Sequence, residues 1–172
     1  MLPITLSDQE IISRCEVHDK TYQLMPAVRS CIIFKSYVIK YGDHRSLRSQ
    51  YETQKYLYSV AVNDPNAPRI PKVVDFFISK QHKAYLVMEF IGGATPANNA
   101  PEKVADALQW LRNVPAPPGV IIGAVGGGPA RHTLFKEYKA PLLFSSKEAL
   151  ENYMNKVCVH GCFKNQSATA NF

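Results

Sequence analysis

Lys40 closes the run Ser36-Tyr37-Val38-Ile39-Lys40, and Gly42 follows two residues later. Tyr37, Val38 and Ile39 are aromatic or β-branched, the composition of a strand that is half or fully buried. An ammonium at the rim of such a strand needs an anionic partner if it is desolvated, because burying an unpaired charge is costly. Snorkelling to solvent is the plain alternative, since lysine is rarely buried unless paired. Strands alone offer Lys40 no carboxylate, but a helix packed across the sheet can. Glu52 falls on the early turns of the helix that should follow Gly42. A lysine fixed by a glutamate and aimed at a cleft is one device that holds the α- and β-phosphates of a nucleotide.

The elements that must position this pair are readable. Ser7 to Glu10, "SDQE", has the pattern of a capping box, and Ile11 and Ile12 give the helix it opens an apolar face through about Cys15. Extended segments are predicted at Thr21 to Met25 and at Arg29 to Phe34, the second leading to Ser36–Lys40. Leu47, Tyr51, Gln54, Leu57 with Tyr58, and Ala61 recur at three- and four-residue steps, which predicts a helix over 46–61. "NDPNAP", 63 to 68, must end it. "PKVVDFFIS", "KQHK" and "AYLVMEFIGG" have the grammar of a hairpin. Backbone groups leaving the sheet before Gly92 and Gly93 have no ladder partners and can read the edge of a flat base.

Downstream, "ATPANNAPE" reads as a linker, and Pro101 to Arg112 as a helix with Val104, Leu108 and Leu111 on one side and Trp110 flanking. "VPAPPGVIIGAVGGGPARH" is loop-like, with Gly126 to Gly128 a turn rather than a phosphate cradle. Ser145 is expected to cap a last helix, 145–157, and the tail "KNQSATANF" to fray. The order is strand, strand, helix, strand, strand, linker, helices. The fold class expected is α+β, an antiparallel sheet with one packed helix followed by further helices.

Composition narrows the partners. The 172 residues suffice for one domain or a little more, and 46% apolar with 20% charged residues is ordinary for a globular protein. No apolar run approaches the ~20 residues that span a bilayer, so no membrane association is expected. The first sixteen residues acquire acids early, without the basic-then-apolar pattern of a secretory leader. Cys15, Cys31, Cys158 and Cys162 are too scattered for a disulfide framework, and only the last two are close. They read as reduced thiols of a cytoplasmic chain. The net charge of +6 comes from 20 basic residues spread along the chain. The densest group, His44 to Arg48, suits a solvated face at least as well as a phosphate backbone. The charge is compatible with a polyanionic small molecule; a basic nucleic-acid-associated domain stays open as a minor alternative.

"YVIKYG", "SQYETQKYL", "PRIPKVVDFF" and "AYLVMEFIGG", in that order and spacing, together resemble the small lobe of a protein-kinase-like fold. In detail they resemble the aminoglycoside phosphotransferase and choline kinase-like family, especially its fungal-type members. "LRNVPAPPGVIIGAVGGGPARHTLF" and "APLLFSSKEALENYM" resemble the region such members place before their catalytic loop, so the likeness covers roughly residues 7 to 156. It implies that Lys40 is the phosphate-binding lysine, Glu52 its helix partner and Met88 the residue at the back of the adenine pocket. The Glu89 carbonyl and the Ile91 amide would be the adenine-reading groups. It also implies a small lobe over 1–92, a linker with a partial helical large lobe over 93–157, and a frayed tail over 158–172.

The departures matter as much. "HDKTYQLMPAVRS", where a flexible phosphate-covering turn is expected, has no glycine. The family needs one aspartate to take the substrate hydroxyl proton and another to hold magnesium, yet no aspartate follows Asp106. "VHGCFKNQ" places Cys162 where the base belongs, and hard cations prefer oxygen ligands. The expectation is a truncated or degenerate, catalytically inactive kinase-like module. It would bind ATP weakly, hold no magnesium, and associate with a protein partner or itself through surface that the missing lobe would cover. The alternative left open is a fragment of an active ATP-dependent phosphotransferase acting on a small-molecule hydroxyl.

Overall fold

The computed structural model describes residues 7–22, 24–25, 29–93, 99–117, 122–133, 135 and 138–166, the last ten of these by backbone only. The fold is α+β: among the described residues, a four-stranded antiparallel sheet and four helices, with the chain divided into two compact units between Ala116 and Pro117.

In the first unit, α1 spans Asp8–Tyr22. It opens as the SDQE pattern requires, with the Glu10 amide donating to Ser7 Oγ at 3.2 Å. The Glu10 carboxylate reaches Lys35 at 3.5 Å. The helix is longer than expected: Thr21 and Tyr22, read as the start of an extended segment, form its last turn. The reason is docking. His18 Nδ1 shares a 2.5 Å hydrogen bond with the Tyr41 hydroxyl, and Asp19 forms an ion pair with Lys83. Both contacts reward continued helix past Cys15.

Strands β1 (Cys31–Phe34) and β2 (Tyr37–Asp43) form a tight hairpin, with Lys35 at its turn in the left-handed region (φ 55°). Helix α2 (His44–Ala61) follows at once, capped by Asp43, whose Oδ1 accepts from the Ser46 amide at 2.9 Å. Strands β3 (Val73–Ile78) and β4 (Lys83–Glu89) complete the sheet in the order β1-β2-β4-β3. The polar turn at 80–83 is where the hairpin grammar puts it, with the Ser79 amide donating to the Lys83 carbonyl at 2.8 Å.

The period-2 alternation divides the sheet between the two helices. Ile39 and Tyr41 of β2, with Tyr85 and Val87 of β4, pack on Ile11 and Cys15 of α1. Phe77 stacks on Tyr85 at 4.9 Å. On the other face Ala84, Leu86 and Met88 of β4, with Val38, pack on Leu47 and Tyr51 of α2. Val73 and Phe76 share this second face although they are three residues apart, because a bulge between Val73 and Asp75 shifts the register. Each buried side chain of this kind contributes roughly 1.5–3 kcal/mol by leaving water.

The first unit extends past the expected boundary at residue 92 to Ala116, and so includes α3 (Pro101–Asn113). Two hydrogen bonds explain the inclusion: Trp110 Nε1 donates to Asp64 at 2.7 Å, and the Tyr56 hydroxyl to the Pro115 carbonyl at 2.5 Å. Of the expected linker, 94–102, residues 94–98 lie outside the described residues, and Pro101 and Glu102 instead open α3.

The second unit carries α4 (Lys147–Gln166) and a small core of Phe135, Ala140 and Phe144 packed with Ile122, Leu150, Tyr153 and Met154. Ser146, rather than Ser145, caps α4, its Oγ accepting from the Ala149 amide at 3.2 Å. The helix runs nine residues beyond the expected end at 157, so 158–166 are helical, not frayed. Residues 126–128 do form a turn, with Gly127 and Gly128 at φ 87° and 99°. A Cβ on Gly123 would stand 2.3 Å from the Gly128 carbonyl oxygen, so the turn closes only over glycine. Among the described residues no helix is long and apolar enough to cross a membrane.

Candidate functional site

Lys40 lies in β2 opposite Leu86 of β4 and Cys31 of β1. Its neighbours Ile39 and Tyr41 face α1, so alternation places Lys40 with Val38 on the α2 face. This is the face on which a helix acid could meet it. The meeting does not occur: Glu52, its side chain 27% exposed, pairs with Arg48 one turn back at 3.3 Å, and Lys40 forms no ion pair with any described residue. The expected Lys40–Glu52 contact is therefore replaced by an i,i+4 pair within α2.

Helix α2 packs on β2, β4 and β3. Beyond its cover Ile33 of β1, opposite Val38, is 62% exposed. Cys31, opposite Lys40, is half-buried. Burial pushes its thiol pKa up, and the charges of Lys40 and Arg29 pull it partway back. The result is an apolar shelf, Ile33 and Val38, with a lysine at its inner end.

Met88 is buried on the same face, against the Leu47, Ala84 and Leu86 cluster, and opposite Val38. At the end of β4 the Glu89 amide donates to the Lys72 carbonyl at 2.9 Å, while the Phe90 amide turns the other way to Ser36 at 3.0 Å. The Ile91 amide has no backbone partner among the described residues. The Glu89 side chain is occupied: it holds Arg69 and accepts from the Lys72 amide at 3.3 Å. The hydrogen bond from Arg69 leads in holding its pKa below the ordinary glutamate value. The carboxylate thus pins the start of β3 and leaves the peptide groups to do any reading.

This end of the sheet thus brings together Ile33 and Val38, a cation beside them and a donor amide where the chain leaves the sheet. Magnesium takes carboxylate oxygens along with phosphates; among the described residues no group of three or more His, Cys, Asp or Glu side chains is placed to hold a metal ion. Asp43 caps α2 and Glu52 is held by Arg48. The His160-Gly161-Cys162 run lies within α4, not in a loop.

Sequence reasoning missed the polar cluster on the opposite face. Burial pushes the Asp19 carboxyl up, but the Lys83 ammonium and the Tyr41 hydroxyl outweigh it and hold the pKa below the ordinary value. Burial likewise pushes the Tyr41 hydroxyl well up and the Cys15 thiol to about 12. Asp19 and Lys83 are 64 residues apart, a separation that carries no local signal.

No protein-family model, no curated protein and no solved structure matches this chain.

Proposed function

We propose that this chain is a nucleotide-binding module built like a kinase-like small lobe, and that it is catalytically silent as a 172-residue protein. The observation that carries the reading is the position of Lys40, a cation without an ion pair among the described residues, on the α2 face beside the exposed Ile33 and the half-buried Val38. A purine laid on that shelf meets apolar side chains above it, the Ile91 amide at its edge and Lys40 towards its phosphates. Strand, strand, helix, strand, strand, with the sheet in the order β1-β2-β4-β3, supports this reading. ATP, when bound, would supply a polyphosphate for Lys40, and with a single cation the affinity is weak. The test is a titration of isotopically labelled protein with ATP and ADP, followed by NMR. Saturable shifts confined to Cys31, Ile33, Val38, Lys40 and Ile91 are expected. Absence of saturable shifts, or shifts centred on α4, would overturn the proposal.

A second reading, self-association, rests on α3. Its Val104, Leu108 and Leu111 form one stripe, and all three are exposed. A dimer in light scattering that Leu108→Asp disperses is the expected result, and a monomer at all concentrations removes it.

A further inference from the structure

Helix α1 is held to the sheet in two different ways along its length. In its first half the hold is apolar: Ile11 and Cys15, the only fully buried residues of this helix, pack on Ile39, Tyr41, Tyr85 and Val87. In its second half the hold is polar. Val17 is 60% exposed and Tyr22 is exposed as well, while His18 on Tyr41 and Asp19 on Lys83 tie the helix down.

These polar ties form one chain across α1, β2 and β4. The Asp19 carboxylate takes both the Lys83 ammonium and the Tyr41 hydroxyl. A carboxylate only accepts, so the Tyr41 hydroxyl donates to it and is left to accept from His18 Nδ1 at 2.5 Å. Lys83 also lies 4.6 Å over the Tyr41 ring. Two further ties reach the β1–β2 hairpin: Glu10 pairs with Lys35, and Arg14 lies 5.0 Å over the Phe34 ring. The four side chains of the two ion pairs are each 30–44% exposed, so water and salt reach both.

We infer that α1 is a charge-latched cover, which lifts off the sheet as a unit while the four strands and α2 stay folded, and that this lifting is what admits reagents to the Cys15 thiol. An element near one end of the chain, with two fully buried side chains and solvent-reached ion pairs, belongs to the low-stability end of local opening. The sheet keeps a separate core on its other face, Leu47, Ala84, Leu86 and Met88, which holds it together while α1 is away. Closed, Cys15 has no exposed surface and its thiol is pushed up to about 12, so it is inert. Open, it is an ordinary thiol. The cover lies on the sheet face opposite Lys40 and does not depend on a nucleotide binding there.

The test is alkylation of the full 172-residue chain with iodoacetamide, a neutral reagent whose reaction is not itself steered by salt. The thiolate sulfur displaces iodide from carbon and the thiol proton passes to the buffer. Peptide mass spectrometry reads Cys15 apart from Cys31, Cys158 and Cys162. Well below the unfolding midpoint, labelling of Cys15 hardly changes with urea, because local opening exposes little surface. Asp19→Asn and Tyr41→Phe each speed it about two- to fivefold, the size of one screened pair or one hydrogen bond. Sodium chloride at about 1 M speeds the wild type by a similar factor and leaves Asp19→Asn nearly unchanged. Either of two results overturns the proposal: Cys15 labelling with the full urea dependence of global unfolding, or one labelling rate shared by wild type, both variants and high salt.

Discussion

Glu52 is held by Arg48, at 3.3 Å along α2, and not by Lys40 across the sheet. The consequence separates two kinds of site. Where a glutamate orients the phosphate lysine, removing either residue weakens binding. In the proposed site Lys40 would act without that partner, so Lys40→Ala should weaken nucleotide binding about tenfold, the scale of one lost charged contact. Glu52→Gln should leave it within about twofold, and should cost stability no more than an exposed i,i+4 pair, about 0.5 kcal/mol. Binding measured for both variants decides it; equal losses would mean that Glu52 reaches Lys40 once nucleotide is bound.

Ile33 and Ile39 make a matched pair on neighbouring strands. Ile39 is fully buried against α1, and Ile33 is largely exposed on the opposite face. Ile39→Ala should cost about 2–5 kcal/mol of stability, as truncations of core aliphatics do. Ile33→Ala should cost under about 0.5 kcal/mol, the usual range for surface substitutions, yet weaken nucleotide binding several-fold. Urea unfolding and nucleotide titration of both variants are the measurements. An Ile33→Ala protein that binds as well as wild type would show that the shelf is not used.

Much of this arrangement was legible in the residues. The helix at 46–61, the hairpin around 80–83 and the helix from Pro101 each follow from a period of 3.6 or 2 bounded by turn residues, and the structure has them. The i,i+4 placement of Arg48 before Glu52 was equally visible and was the signal for the observed pair. Other features had no local signal. The last turn of α1 depends on His18 meeting Tyr41 and Asp19 meeting Lys83, contacts between distant segments. His160-Gly161-Cys162 reads as the echo of a catalytic loop, yet α4 passes through it, since one glycine costs a helix only about 1 kcal/mol. The strand that carries Lys40 was legible, and the pairing of Glu52 with Arg48 instead of Lys40 was not read from it.

The Asp19–Lys83 pair should make stability fall in acid. The Asp19 carboxyl lies below its ordinary value of 3.8 in the folded protein, so the folded state binds protons less readily than the unfolded one. Its contribution is therefore complete above pH 3.8 and is lost as pH falls through that value and below. Both partners are substantially exposed, so with solvent screening the pair is worth about 0.5–1 kcal/mol. Asp19→Asn should lower unfolding free energy by that amount near neutral pH. The difference from wild type should shrink towards zero in strong acid and in high salt. A difference that stays constant down the pH range would assign the loss to packing instead of charge.

The 172-residue chain should not turn over ATP, even where it binds it. Phosphoryl transfer is mostly positioning and charge neutralisation, and it needs a carboxylate to take the acceptor proton and others to hold magnesium. No aspartate follows position 106. Of the acids near Lys40, Asp43 caps α2 and Glu52 is held by Arg48. In α4 Glu151 pairs with Lys147 at 3.5 Å, and Glu148 occupies the helix's first turn. Lys40 supplies one positive charge, enough to attract a phosphate and unable to act as base or metal ligand. ATP affinity should accordingly be nearly the same with and without magnesium. Purified protein incubated with ATP and a panel of hydroxyl acceptors should release ADP no faster than buffer. Magnesium-dependent turnover that Lys40→Ala abolishes would show that carboxylates from elsewhere, such as a second copy of the chain, complete the site.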